Sequence, residues 1–210
     1  CLLEGSHCAP FGGVYSSYML PHFSDRDLTI RQLSDAVKGV YASVFFADSN
    51  AYMVATSNVI DQEKMAVIIQ EAVGVQHGDY FYPSLSGVGR SLNYYPVGEE
   101  QPADGIAEMA VGLGTYIVDG GMSLRFSPRH PAHVLQTSTL DLALRDTQRY
   151  FYALSTTAGE GEFSIDEGFD IARLNVDDAG KQGFLKYLVS TYDYQNERIV
   201  DSDEGGGRKV

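Results

Sequence analysis

The stretch Pro10–Tyr18, PFGGVYSSY, sets Gly12 and Gly13 just ahead of the hydroxyl pair Ser16 and Ser17. Exposed N–H groups on a Gly-Gly turn, with hydroxyls nearby, can surround phosphate oxygens, and the same residues can equally form a plain structural turn. Gln70 raises a second question, because it interrupts the apolar run Lys64–Gly74, KMAVIIQEAVG. A buried amide must find partners, and a purine edge offers both hydrogen-bond senses. A neighbouring strand's backbone would serve as well, and so would a solvated edge. VGLGTY at Val111–Tyr116 carries Gly-x-Gly without the spacing of a dinucleotide fingerprint, so a turn is the simpler reading.

Other chemistry-bearing residues form no convergent set. His7, His22, His77, His130 and His133 show neither a helical metal pair nor a nucleophile motif beside them. Cys1 and Cys8 are too few for a disulfide framework or a zinc site, which fits a reducing compartment. A lipidated Cys1 is disfavoured, because LLEGSHCAPF is not a polar, flexible tether. Asp201, Asp203 and Glu204 precede a glycine run and read as a solvated tail, not a magnesium site. The whole chain of 210 residues has 15 Lys and Arg and a formal charge of −13, so nucleic acid and anionic membrane are disfavoured as partners. No apolar run reaches the roughly eighteen residues of a spanning helix.

These residues must be held by an α+β arrangement. Asp25–Phe46 places Leu33, Val37, Val40, Tyr41 and Val44 on one stripe, an amphipathic helix capped by Asp25 or Asp27. A second helix is expected through Ser49–Asn58, and Lys64–Gly74 reads as a buried strand. Tyr80–Gly98 reads as neighbouring antiparallel strands, and Asp104–Phe126 as an apolar body broken by glycines. Pro128 and Pro131 mark a candidate seam. Beyond it, Thr137–Thr156 should begin helical and end extended, Gly159–Val176 should form a hairpin-like pair, and Gly183–Val200 should add further strand. Residues 201–210 have nothing to bury and are expected to be disordered.

Taken in order, LLEGSHCAPFGGVYSSYMLP, LSDAVKGVYASVFF, KMAVIIQEAVG, SGVGRSLNYYPVG, VGLGTYIVDGG and LRFSPRHP resemble the N-terminal nucleotide-binding region of phosphoenolpyruvate synthase and pyruvate phosphate dikinase, an ATP-grasp fold. The similarity runs over roughly 2–131, and the remainder looks like an extension of the synthase-like branch. The resemblance implies ATP bound between two α+β halves, with sheets mixed or antiparallel and helices flanking them. It also implies transfer of the β-phosphate to a histidine on a separate swivelling domain, and then to pyruvate. Matched residue by residue, it assigns Gly13 and Ser17 to the flap over the phosphates, with Ser17 replacing threonine and keeping the hydroxyl. Gln70 matches a nucleotide-contacting glutamine, with Glu71 beside it.

The same resemblance leads us to expect a chain incomplete at both ends. The family's phosphate-holding arginine precedes the position of Cys1, and the Asp-x-Glu strand that supplies Mg²⁺ and the Gln-x-Arg strand after it have no counterpart here. Gly5, Thr115 and Arg90 also depart from the family pattern. The expectation is therefore the central part of an ATP-grasp domain over 1–131, an α+β extension over 132–200, and a tail over 201–210. Its parent would be a cytoplasmic phosphotransferase, while the chain alone would bind ATP weakly or not at all and turn nothing over. The cleft surface left exposed by such a truncation leaves a homodimer open. The competing reading is a non-catalytic regulatory or interaction module derived from the same fold.

Overall fold

The computed structural model describes residues 13–56, 64–157, 161–181, 183, 185–186, 188–201 and 207–210. The expectations placed on Cys1, Gly5, His7, Cys8, Asp203 and Glu204 lie outside these. The chain divides into two compact units, the first formed by 1–72 and 154–171, the second by 73–153 and 172–210. The residues on either side of Pro128–Pro131 both belong to the second.

In the first unit, helix α1 (Arg26–Ala42) starts at Asp25, whose Oδ1 accepts the N–H groups of Asp27 at 2.8 Å and Leu28 at 3.2 Å. That cap satisfies two of the donors a helix start leaves open. A short 3-10 turn (Ser43–Phe45) leads into α2 (Ala47–Thr56). The buried line of α1 is Gln32, Ala36 and Gly39, continued by Ser43 and Val44. Of the expected stripe only Val44 is buried, since Leu33 and Tyr41 are exposed and Val37 and Val40 only half-buried. The inward face is rotated by about one residue because small side chains admit close neighbours. A Cβ on Gly39 would stand 2.9 Å from the Tyr18 ring, and the Gln32 Nε2 donates to the Glu162 carbonyl at 3.4 Å.

Residues 64–74 form no strand, which corrects the expectation of a buried one. Ile68, Ile69 and Val73 are largely exposed there. β-branched residues favour a strand only where a ladder partner and a packed face exist, and among the described residues no strand pairs with this one. The hairpin expected at Gly159–Val176 is likewise half-formed. Among the described residues of this span, 161–170 form no strand, and only β7 (Ile171–Asn175) is extended.

The second unit holds the strands. One sheet has the order β1 (Val75–His77), β2 (Tyr80–Tyr82), β6 (Tyr150–Ser155), β7, with β6 continuing past Ala153. A second has the order β3 (Ser86–Arg90), β4 (Ile106–Ala110), β5 (Leu124–Phe126), both pairs antiparallel. Strands β2 and β3, expected as neighbours, thus belong to different sheets. Between them, Pro83 interrupts the extended run. The third has β8 (Thr191–Asp193) between β9 (Arg198–Val200) and β10 (Arg208–Lys209), again antiparallel. Strand β10 corrects the expected disorder at residues 207–210: its Lys209 is buried and ladder-bonded to Thr191. Short helices α3 (Thr115–Val118), α4 (Leu140–Arg145) and α5 (Val176–Lys181) complete an α+β fold.

The core of this unit gathers Tyr82, Val111, Phe151, Ala153, Val176, Ala179, Leu185 and Val189. Tyr82 and Phe151 meet edge to face at 4.9 Å. The VGLG turn is locked into it. Gly112, at φ 86°, leaves no room for a Cβ, which would lie 2.6 Å from the Tyr152 carbonyl, and Leu113 N–H donates to that same oxygen at 2.9 Å. The Gln148 side chain bonds both backbone groups of Val111, taking the place of a strand neighbour. This glycine motif is structural, as its spacing suggests.

Candidate nucleotide site

The stretch Gly13–Tyr18 in the first unit is laid down by hydroxyls. Ser43 Oγ accepts the Ser16 N–H at 3.1 Å and donates to the Val40 carbonyl at 2.7 Å. Ser49 Oγ lies between the Ser43 carbonyl at 2.6 Å and the Val14 carbonyl at 3.3 Å. Both serine side chains are fully buried, so leaving either hydroxyl without a partner would be costly. The corner between α1 and α2 therefore fixes the backbone of Val14 to Ser16. Gly13 stands ahead of it at φ 75° with open space where a Cβ would be. A side chain at that position would be strained by the backbone alone.

The next amide points elsewhere. Ser17 N–H donates to Glu167 Oε2 at 3.2 Å. Glu167 is held by a tight turn in which Asp166 N–H donates to Ser164 Oγ and Asp166 Oδ1 accepts the Gly168 N–H, each at 3.0 Å. Tyr18 packs its ring edge-on against Phe163 at 5.1 Å, and its hydroxyl reaches the Ile165 carbonyl at 3.5 Å. Residues 163–167 thus lie along Ser17 and Tyr18. The acceptor at this amide is therefore an internal carboxylate oxygen.

Gly13 and Ser17 are accordingly brought together on one anchored turn. Gln70 and Glu71 are not placed on a strand but lie exposed on irregular backbone. Ser43, Ser49 and Glu167 complete the turn and were not singled out in the sequence. Ser164-x-Asp166-x-Gly168 is an Asx-type turn signature, which marks the turn but not the contact that Glu167 makes. Nearby, Asp170 is buried with Oδ1 lacking a hydrogen-bond partner, and burial pushes its carboxyl above the ordinary value. Among the described residues no three His, Cys, Asp or Glu side chains gather as a metal site. Among them, too, no helix is long and apolar enough to cross a membrane.

The family described as pyruvate phosphate dikinase, AMP/ATP-binding domain, matches residues 1–160, and the chain belongs to it. No curated protein and no solved structure matches the chain.

Proposed function

We propose that the chain binds ATP through the Gly13–Ser17 turn and serves a phosphotransferase of the phosphoenolpyruvate synthase type. The parent enzyme would pass a phosphoryl group from ATP-Mg²⁺ to a histidine on a swivelling domain and thence to pyruvate. The observation that carries this reading is the Ser17 amide, fixed in place beside Ser43 and already directed at a carboxylate oxygen. Gly13 leaves the approach open, and the Ser17 hydroxyl is exposed beside it. Gln70 and Glu71 would contact the base from their exposed stretch. Mg²⁺, when bound, would offset phosphate charge and polarise the transferred group. On this reading the expected division is an ATP-grasp part over 1–131 and an extension over 132–200, in a cytoplasmic protein.

Amide-resolved NMR of the 210-residue chain during titration with ATP, with and without Mg²⁺, tests the proposal even at weak affinity. Saturable shifts at Gly13, Ser17, Gln70 and Glu71 are the expected result. Shifts confined to other residues, or none, overturn it. Glu167 also favours a second reading, a regulatory module whose phosphate position is permanently filled from within. Failure of the Glu167→Gln variant to gain any ATP response would select that reading.

A further inference from the structure

A concavity of about 240 Å³ in the second unit is lined by Arg149, Tyr150, Asn175, Val176, Asp177, Arg208 and Lys209. All but Arg149 and Tyr150 lie beyond the part of the chain that matches the nucleotide-binding family. In a chain of net charge −13 its lining is cationic, three basic residues against one carboxylate. That carboxylate is engaged, since Asp177 Oδ1 accepts the Lys209 N–H at 2.6 Å. Lys209 is buried, with its Nζ donating to Thr191 Oγ1 at 2.9 Å and its stem packed over Gly180.

The two guanidinium groups converge. Nη2 of Arg149 and Nη2 of Arg208 both donate to the Leu144 carbonyl at the end of α4, the former at 3.4 Å. Capping a helix end accounts for one N–H from each. Four donors on each fork remain. Among the described residues neither guanidinium forms an ion pair. Two like charges held on one carbonyl oxygen repel each other, and an anion between them would reverse that cost. Tyr150 lines the concavity, and Arg173 stacks over its ring at 4.1 Å.

We propose that this concavity is a second anion site, separate from the Gly13–Ser17 turn, and that it takes the phosphate group of a small phosphorylated molecule or free inorganic phosphate. A phosphate dianion, with a double charge and more acceptor oxygens than a carboxylate, can accept from two guanidinium groups at once. The volume suits a phosphate with a small substituent, being smaller than the usual range for a larger ligand.

Calorimetric titration of orthophosphate and of pyrophosphate into the full chain at low salt tests this, with Arg149→Gln, Arg208→Gln and Arg31→Gln compared. Arg31 is exposed on α1 and controls for net charge. Saturable one-site binding by the parent chain, weakened at least about tenfold by Arg149→Gln and unchanged by Arg31→Gln, is expected. Tighter pyrophosphate binding would assign the site to a phosphorylated ligand, and tighter orthophosphate binding to the free anion. Absence of saturable binding, an unaltered Arg149→Gln variant, or an equal loss with Arg31→Gln would overturn the proposal. Arg149 is the deciding position because its side chain is exposed, whereas Arg208→Gln also removes a bond from the closer cap on α4 and is read only if its melting profile matches the parent.

Discussion

The N–H of Ser17 can serve one anion at a time, and Glu167 holds it in the structure. Replacing Glu167 by Gln keeps an oxygen acceptor but removes its charge, so a phosphate would compete more easily. On the nucleotide reading, ATP affinity should rise about three- to tenfold, measured by the same NMR titration. Asp170 makes a different prediction. Burial raises its carboxyl pKa above the ordinary 3.8, so the folded state holds this proton more tightly than the unfolded chain. The associated stability is fully present below 3.8 and is lost as pH rises from there through the raised folded value. Asp170→Asn should therefore melt higher than the parent at neutral pH, and the gap should close as the pH falls below 4. Melting curves over that range check it. Gly13 and Ser17 were legible as a turn with hydroxyls, whereas Glu167 was not, because its role depends on a contact 150 residues away.

The corner between α1 and α2 is what makes the turn rigid. Ser43→Ala would strip the part-buried Ser16 N–H of its acceptor and should cost about 1–3 kcal/mol of stability. Chemical denaturation gives that figure, and faster hydrogen exchange at Ser16 should accompany it. The helix itself was plain in the sequence through its cap at Asp25. Its buried face was not, because hydrophobicity alone nominated Leu33 and Tyr41, while close approach selected Ala36, Gly39 and Ser43. Lys64–Gly74 failed for the opposite reason. Its composition suits a strand, but strand formation also requires a neighbour, and that lies outside what a local pattern records. The turn at VGLG was legible, since Gly112 has no alternative at φ 86°.

The whole molecule interleaves its two units, each made from two separate stretches of chain. Exposed, irregular backbone is where a protease gains entry. Lys64, exposed at the start of the 64–74 stretch, should be the first major tryptic site under native conditions, detected by mass spectrometry of the early fragments. Early cleavage within α1 instead would contradict the packing described. The α+β class was legible from the alternation of helical and extended patterns, but the interleaving was not, since it joins 1–72 to 154–171 across an entire second unit. The same arrangement sets a timetable for synthesis on the ribosome. With Ser17 made, Glu167 is still about 8–30 seconds from polymerisation at ordinary elongation rates. During that interval the glycine turn stands without its internal carboxylate, and a phosphate ligand in the cell would meet the nascent chain in a form that the finished one no longer presents.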